Sequence, residues 1–350
     1  MLVNLSRGVS QCGLDVDFLM GRAEGPHLSS LPSVVRIIEL GHRSEKKILP
    51  KLVQYLRKEQ PRALLSSKSR SNQDAIEARS LAGVPTRVVI RVGTTVSRRV
   101  KGRNPIKRWK SFSPMRRFYP QADAIVAVSG GVARDVAGIT GIPLKRIRVI
   151  PNPVITPELP FLAEEPVAHP WFTKNGPPII LGGGGFRRQK DFSTLIRAFA
   201  LIRKKRAARL VILGKGRQKR RLERLALKLG IGKDFYLPGF VANPFAYMAK
   251  SSLFVLSSRW EGSPNALTEA LALGIPVVST DCESGPAEIL KGGHYGPLVP
   301  VEDIGAMARA IEKTLENPLD PSVLKAAVQD YAIETSTAQY MDVLGLKDEQ

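Results

Sequence analysis

The stretch Leu253-Phe254-Val255-Leu256, followed by Glu261-Gly262-Ser263-Pro264-Asn265-Ala266-Leu267-Thr268-Glu269, decides how this chain of 350 residues is read. The four apolar residues make a run short enough to be a buried strand. Ser263 is an N-cap type of residue, Pro264 fits the first helical position, and Gly274 with Pro276 should stop the helix near Leu273. Glu261 then precedes the helix, and Glu269 lies in its second turn. The first turn leaves backbone N–H groups without intrahelical partners, and such a row suits a phosphate. Phosphate donors flanked by two carboxylates that can accept from sugar hydroxyls outline a nucleotide-sugar site. Strand, loop and capped helix also recur throughout α/β proteins, so this spacing alone leaves an ordinary structural role open.

Outward from this point, short apolar runs alternate with helical segments, the mark of parallel α/β architecture. Strands are expected at 15–19, 34–38, 63–66, 86–91, 124–128 and 148–150, and helices near 2–11, 45–58, 72–82 and 130–139. Pro151 to Pro178 is proline-rich and without periodicity, which reads as a linker. A second unit starts with the strand Ile179-Ile180-Leu181, entering Gly182-Gly183-Gly184-Gly185 and a helix from about Phe192. Strands at 209–213, 234–237, 253–256 and 276–279 follow, with helices near 217–229, 303–316 and 321–341. The expected division is 1–152, a linker at 153–177, a second domain at 178–325 and a terminal helix and tail at 326–350. Two Rossmann-like domains facing each other across a cleft is the architecture this implies.

The length suffices for two ordinary domains, and a hydrophobic content of 43% argues against long disordered stretches. No apolar run approaches the ~20 residues that cross a bilayer, and no signal peptide is evident. Two cysteines, Cys12 and Cys282, have no metal-ligand spacing, so a cytoplasmic, reduced location is the default. The net charge of +22 comes largely from two clusters. One, from Arg98 to Arg117, mixes Trp109 and Phe112 with cations in what reads as a loop. That mixture suits an anionic membrane surface, hence a peripheral location on the inner face of the cytoplasmic membrane. The same residues would also suit single-stranded nucleic acid. The other cluster, from Arg203 to Arg224, reads as a solvated face.

Further motifs sharpen the reading. Ser257-Ser258-Arg259-Trp260-Glu261-Gly262 and the run from Glu269 to Asp281 resemble the donor-site signature of retaining glycosyltransferases of family 4. Ser284-Gly285-Pro286-Ala287-Glu288 and Tyr295-Gly296-Pro297-Leu298 extend the resemblance, which is strong over about 177–305. It implies the GT-B fold, with the last helix returning toward the first domain. It also implies transfer of a hexose or N-acetylhexosamine from a nucleotide-sugar, UDP-linked, to a glycan or lipid-linked acceptor with retention of configuration. Carried over residue by residue, Glu261 contacts the sugar hydroxyls, Glu269 the ribose, and Lys190 the diphosphate. Gly184, Gly185, Arg188, Gly262, Asn265, Ala266 and Leu267 would complete the diphosphate cradle, and Pro238 and Gly239 border the base. Lys190 and Glu261 are the expected catalytic pair. No Asp-x-Asp motif appears, so no metal and no other cofactor is expected.

The chain departs from the family in three places. Gly185 stands where relatives carry an arginine that stabilises the leaving diphosphate; Arg187 or Arg188 could replace it. Val92-Gly93-Thr94-Thr95 lacks the histidine that many relatives place after the matching strand, and His27, His42, His169 and His294 fit no catalytic pattern. Thr94, Thr95 and Ser129 remain as polar acceptor-side candidates. Finally, the chain opens on a helix at Leu2 where relatives first have a strand, so the N-terminal domain is expected to lack its first strand. These departures favour a second reading, a degenerate relative that binds a nucleotide or partner without efficient transfer. A third, a polyanion-binding protein, rests on charge alone; no nucleic acid is expected as a partner.

Overall fold

A computed structural model describes residues 1–25, 28–41, 48–172 and 176–346. His27, His42 and the start of the helix expected from 45 lie outside them. The chain divides into two compact units, Met1–Val154 with Asp330–Gln350, and Ile155–Gln329.

In the first unit, β1 (Asp17–Met20) and β2 (Arg36–Glu39) pair in parallel as a small sheet of their own. A separate parallel sheet runs β3 (Ala63–Ser67), β4 (Arg87–Val92), β5 (Ala124–Ala127), β6 (Ile147–Val149), in that order. Period-two alternation sorts β4 between two cores. Val88 and Ile90 pack with Ile76, Met115 and Val132 of the helices on one face. Val89 packs on the other with Leu5 and Val9 of the helix Leu2–Gln11 and with Tyr340 of the helix Ile333–Leu344. The terminal helix thus belongs to the first unit, as the resemblance implies.

The second unit holds one parallel sheet of β7 (Ile179–Gly183), β8 (Arg209–Leu213), β9 (Phe235–Gly239), β10 (Leu253–Leu256), β11 (Val277–Thr280) and β12 (Leu298–Val299). Their spatial order is β12-β11-β10-β7-β8-β9. The chain begins in the middle with β7, moves outward through β8 and β9, then resumes at β10 on the other side. β7 and β10 therefore flank the topological switch point, where open α/β sheets bind ligands beyond the carboxyl ends of the strands. Ile180, Ile212 and Val255 pack against Leu195 and Phe199 of the helix Phe192–Arg203 and Met307 and Ile311 of the helix Ile304–Glu316.

Some expectations need correction. The basic stretch read as a loop contains the helix Pro105–Phe118, started by Asn104, whose side chain accepts from the Lys107 N–H at 2.9 Å, with Pro105 in the first turn. The expected helix 321–341 is two, Pro321–Ala326 and Ile333–Leu344, separated by a 3₁₀ turn at Gln329–Tyr331. Within the expected linker, Leu159–Glu164 is a helix anchored to the second unit, its Leu162 carbonyl accepting from Asn243 Nδ2 at 2.7 Å. No helix among the described residues is long and apolar enough to cross a membrane.

Candidate functional site

Two loops of the second unit, 184–191 after β7 and 257–264 after β10, emerge at the switch point and bring Lys190 to Glu261. Lys190 Nζ lies 2.6 Å from Glu261 Oε1, with the lysine side chain 20% and the glutamate side chain 9% exposed. Ser258 Oγ donates to the same oxygen at 2.6 Å, and Gln189 Nε2 reaches Glu261 Oε2 at 3.4 Å while donating to the Trp260 carbonyl at 2.9 Å. The two loops are stitched together behind the pair. Ser257 Oγ donates to the Lys190 carbonyl at 2.7 Å, the Arg259 N–H to the Gln189 carbonyl at 2.7 Å, and Thr280 Oγ1 to the Ser258 carbonyl at 2.6 Å. An ammonium carries three donors, so one bond to Glu261 leaves capacity toward an anion.

Glycines let the backbone come this close. Gly184 has φ +140, and a Cβ there would stand 2.9 Å from Lys190 Cε, so the lysine stem lies across it. Gly285, at φ +87, would place a Cβ 2.7 Å from the Gly262 carbonyl oxygen, which also accepts from Ser284 Oγ at 3.1 Å. Gly262 is buried. At the neighbouring strand ends, the Gly239 carbonyl accepts from the Gly214 N–H at 2.8 Å, and Pro238 precedes it inside β9. Beyond them Phe240 is 44% exposed, with Lys215 Nζ 4.8 Å from its ring centroid.

The helix after β10 runs Asn265–Ala272, with Pro264 rather than Ser263 at its N-cap. Leu267 gives its N–H to the Pro264 carbonyl at 3.0 Å, a tight i→i+3 start that withdraws it from the expected row of phosphate donors. Asn265 and Ala266 stay at the helix start. Burial pushes the Glu269 carboxyl up to about 7, partly offset by Lys190. Cys282 is buried, and desolvation followed by the Glu261 charge pushes its thiol up to about 12, which makes it an inert packing residue.

An arginine side chain stands next to each of Gly185 and Gly93. A Cβ at Gly185 would lie 3.4 Å from Arg187 Nε; Arg187 and Arg188 are both exposed. In the first unit, a Cβ at Gly93 would lie 2.9 Å from Arg91 Nη1. Arg91 is itself buried, with Nη2 2.6 Å from Asn152 Oδ1 and Nη1 3.1 Å from Ser67 Oγ, and desolvation lowers its affinity for its proton. Thr94 is half-buried and Thr95 buried after β4. Ser129 caps the helix Gly130–Thr140, its Oγ accepting from the Val132 N–H at 3.3 Å. Among the described residues, no group of three or more His, Cys, Asp or Glu stands close enough to hold a metal ion. Sequence reasoning passed over Gln189, Ser258 and Arg91. Ser258, three residues before Glu261, had a signal in its spacing; Gln189 and Arg91 had none.

The family model for glycosyl transferases group 1 matches residues 167–332, and that for glycosyltransferase family 4 matches residues 1–157. The chain belongs to the glycosyl transferases group 1. The chain is 33% identical over 249 residues to the N-acetylgalactosamine-N,N'-diacetylbacillosaminyl-diphospho-undecaprenol 4-alpha-N-acetylgalactosaminyltransferase of Campylobacter jejuni, covering 71% of this chain and 66% of that one. It is 29% identical to the lipopolysaccharide core biosynthesis glycosyltransferase LpsE of Rhizobium meliloti, over 71% of each. A glycosyltransferase of Methanocaldococcus jannaschii is 34% identical over 198 residues, 53% of this chain and 48% of that one. The matches thus span from about half to seven tenths of these relatives. Among solved structures, HepE of Anabaena with UDP superposes with a TM-score of 0.74 at 16% identity, over 95% of this chain and 100% of that one. The galactosyltransferase WaaB in its apo form gives 0.70 at 18%, over 98% and 94%. The fold is GT-B.

Proposed function

We propose that this group 1 glycosyltransferase moves a hexose or N-acetylhexosamine from a UDP-linked donor to a glycan or lipid-linked acceptor with retention of configuration. The Lys190–Glu261 pair at the switch point carries the reading, because it sets a cation and an oriented carboxylate side by side where a diphosphate sugar would lie. Glu261 accepts from sugar hydroxyls and Glu269 from the ribose. Lys190, Arg187 and the N–H groups of Asn265 and Ala266 hold the diphosphate, and Phe240 borders the base. The bond from the anomeric carbon to the leaving phosphate oxygen breaks as the acceptor oxygen attacks the same face. The departing phosphate takes the acceptor's proton, while Lys190 and the helix start stabilise its growing charge without a metal. In support, the C. jejuni relative is named for a diphospho-undecaprenol-linked acceptor and the HepE structure holds UDP.

The acceptor class also fits the helix Pro105–Phe118, whose exposed half carries Ile106 (65% exposed) and Trp109 (60% exposed) among Lys107, Arg108 and Lys110. Such a surface rests on anionic lipid from the cytoplasmic side. The withdrawal of the Leu267 N–H favours the second reading, a site with weakened diphosphate binding. Melting the protein against UDP, GDP and ADP and their sugar conjugates tests both. UDP should raise the transition, by about 2.7 kcal/mol at a hundredfold excess over Kd. The product's anomeric coupling should match the donor's, with activity unchanged by a chelator. No shift with any nucleotide would support the second reading.

A further inference from the structure

At the carboxyl end of the first unit's larger sheet sits a buried cation with no carboxylate to neutralise it. Arg91, next to last in β4, is 7% exposed. Period-two alternation puts it on the face of β4 that carries the fully buried Val89. Its Nη1 donates to Ser67 Oγ at 3.1 Å, at the end of β3, and its Nη2 to Asn152 Oδ1 at 2.6 Å, in the segment after β6. The Tyr340 hydroxyl is its remaining polar neighbour, and neither that hydroxyl nor Arg91 Nε completes a hydrogen bond. Among the described residues Arg91 forms no ion pair.

Burying a charge is costly unless an opposite charge and hydrogen bonds compensate it. Here the partners are neutral, so the cost stands, and an anion is the ligand that would offset it. The donor count agrees. A guanidinium carries five N–H groups, and the two bonds to Ser67 and Asn152 use two of them. Ser67 Oγ accepts from Arg91 and keeps its own proton to give. The cluster therefore combines positive charge with spare donors, which suits a ligand made of acceptors alone.

Gly93 gives such a ligand its way in. It is exposed just beyond β4, and the Cβ it lacks would stand 2.9 Å from Arg91 Nη1 and 3.6 Å from Nη2. A side chain at this position would crowd the two terminal nitrogens; glycine leaves them open toward the surface.

We infer that Arg91 and Ser67 form a phosphate subsite of the first unit, entered past Gly93, that takes a phosphate group of a lipid-linked acceptor. The planar fork of a guanidinium matches two phosphate oxygens at once, and the Ser67 hydroxyl adds a third donor. The subsite shares no residue with the Lys190–Glu261 pair. Only the source of the phosphate rests on the proposed transfer; the binding chemistry stands without it.

The test titrates the full chain by calorimetry with geranyl diphosphate and, separately, with inorganic phosphate, UDP being present in excess to fill the donor site. The parent should bind geranyl diphosphate. Arg91→Met should weaken that binding on the order of tenfold to a hundredfold, the range for losing hydrogen bonds to a charged group. Gly93→Ala keeps the arginine but crowds Nη1, and should weaken it in the same direction. Both variants should keep the rise in melting temperature with UDP. Without phosphate, Arg91→Met should melt no lower than the parent, because it removes an uncompensated buried charge. A lower melting temperature with unchanged affinity for geranyl diphosphate would overturn the subsite and make Arg91 a structural latch on Asn152. Should Arg91→Met fail to fold, unchanged affinity in Gly93→Ala has the same force. A parent that binds UDP but neither phosphate would sink the subsite and leave the donor reading intact. Loss of the UDP response alone would do the reverse. Binding of inorganic phosphate without geranyl diphosphate would rule out the lipid-linked source.

Discussion

The ammonium of Lys190 touches the Glu261 carboxylate at 2.6 Å although 71 positions separate them in the chain. The sheet order makes the contact: β7 and β10 are neighbours that leave the sheet toward helices on opposite faces, so their loops part at the strand ends and face each other. A cation with spare donors and a carboxylate held by Ser258 and Gln189 then share one small space.

Replacing Glu261 separates its two contributions. Glu261→Ala strands a half-buried ammonium and should cost about 1–3 kcal/mol of stability along with nearly all transfer. Glu261→Gln keeps a partner for Ser258 and should melt within about 1 kcal/mol of the parent. If Glu261→Gln retained full kcat/KM, the carboxylate would have no part in catalysis.

Lys190→Met should lower kcat on the order of 10²–10³-fold, the usual effect of losing one group that stabilises developing charge. Steady-state kinetics with saturating donor checks this, and a change confined to KM would assign the lysine to ground-state binding.

The two adjacent arginines should behave differently. Both are exposed, but only Arg187 lies against Gly185, so Arg187→Ala should weaken UDP binding while Arg188→Ala leaves it close to the parent. Titration calorimetry of both variants decides, and the reverse order would return the role to Arg188.

Glu269 gives the site a pH dependence. Its carboxyl is pushed up to about 7 by burial, above its value of 4.5 in an unfolded chain. Its contribution to folding is therefore complete below about 4.5 and is lost as pH rises through about 7. Nucleotide binding runs the other way if the ionised form accepts from the ribose, weakening as pH falls below about 7. Glu269→Gln should flatten that profile; an unchanged profile would remove the residue from the ribose site.

Gly285→Ala tests the loop that backs the pair. With φ at +87 and the new Cβ 2.7 Å from the Gly262 oxygen and 2.8 Å from Pro264 Cδ, it should cost about 1–3 kcal/mol and displace 262–264. Thermal melting with and without UDP would show both effects.

The sequence by itself determined which residues surround the helix start and that two parallel α/β units are built from strand–helix alternation. Leu253–Leu256, Arg209–Leu213 and the helix Leu2–Gln11 were legible because period, caps and breakers are local in the chain. It also set the Gly185 and Gly93 departures in plain view. Only the tertiary structure decided what those departures mean, because whether Arg187 or Arg188 lies over Gly185, and whether Arg91 fills the place beside Gly93, depends on side-chain direction rather than spacing. The same holds for the hydrogen bonds that Ser258 and Gln189 give Glu261, and for the Leu267 N–H withdrawn into a tight helix start. The helix Pro105–Phe118 had its cap and proline in the sequence, yet its apolar residues follow no helical stripe, so it hid among charges. Strand order is the deepest of these: local patterns place strands along the chain, but only packing in space puts β7 beside β10 and keeps β1 and β3 in separate sheets.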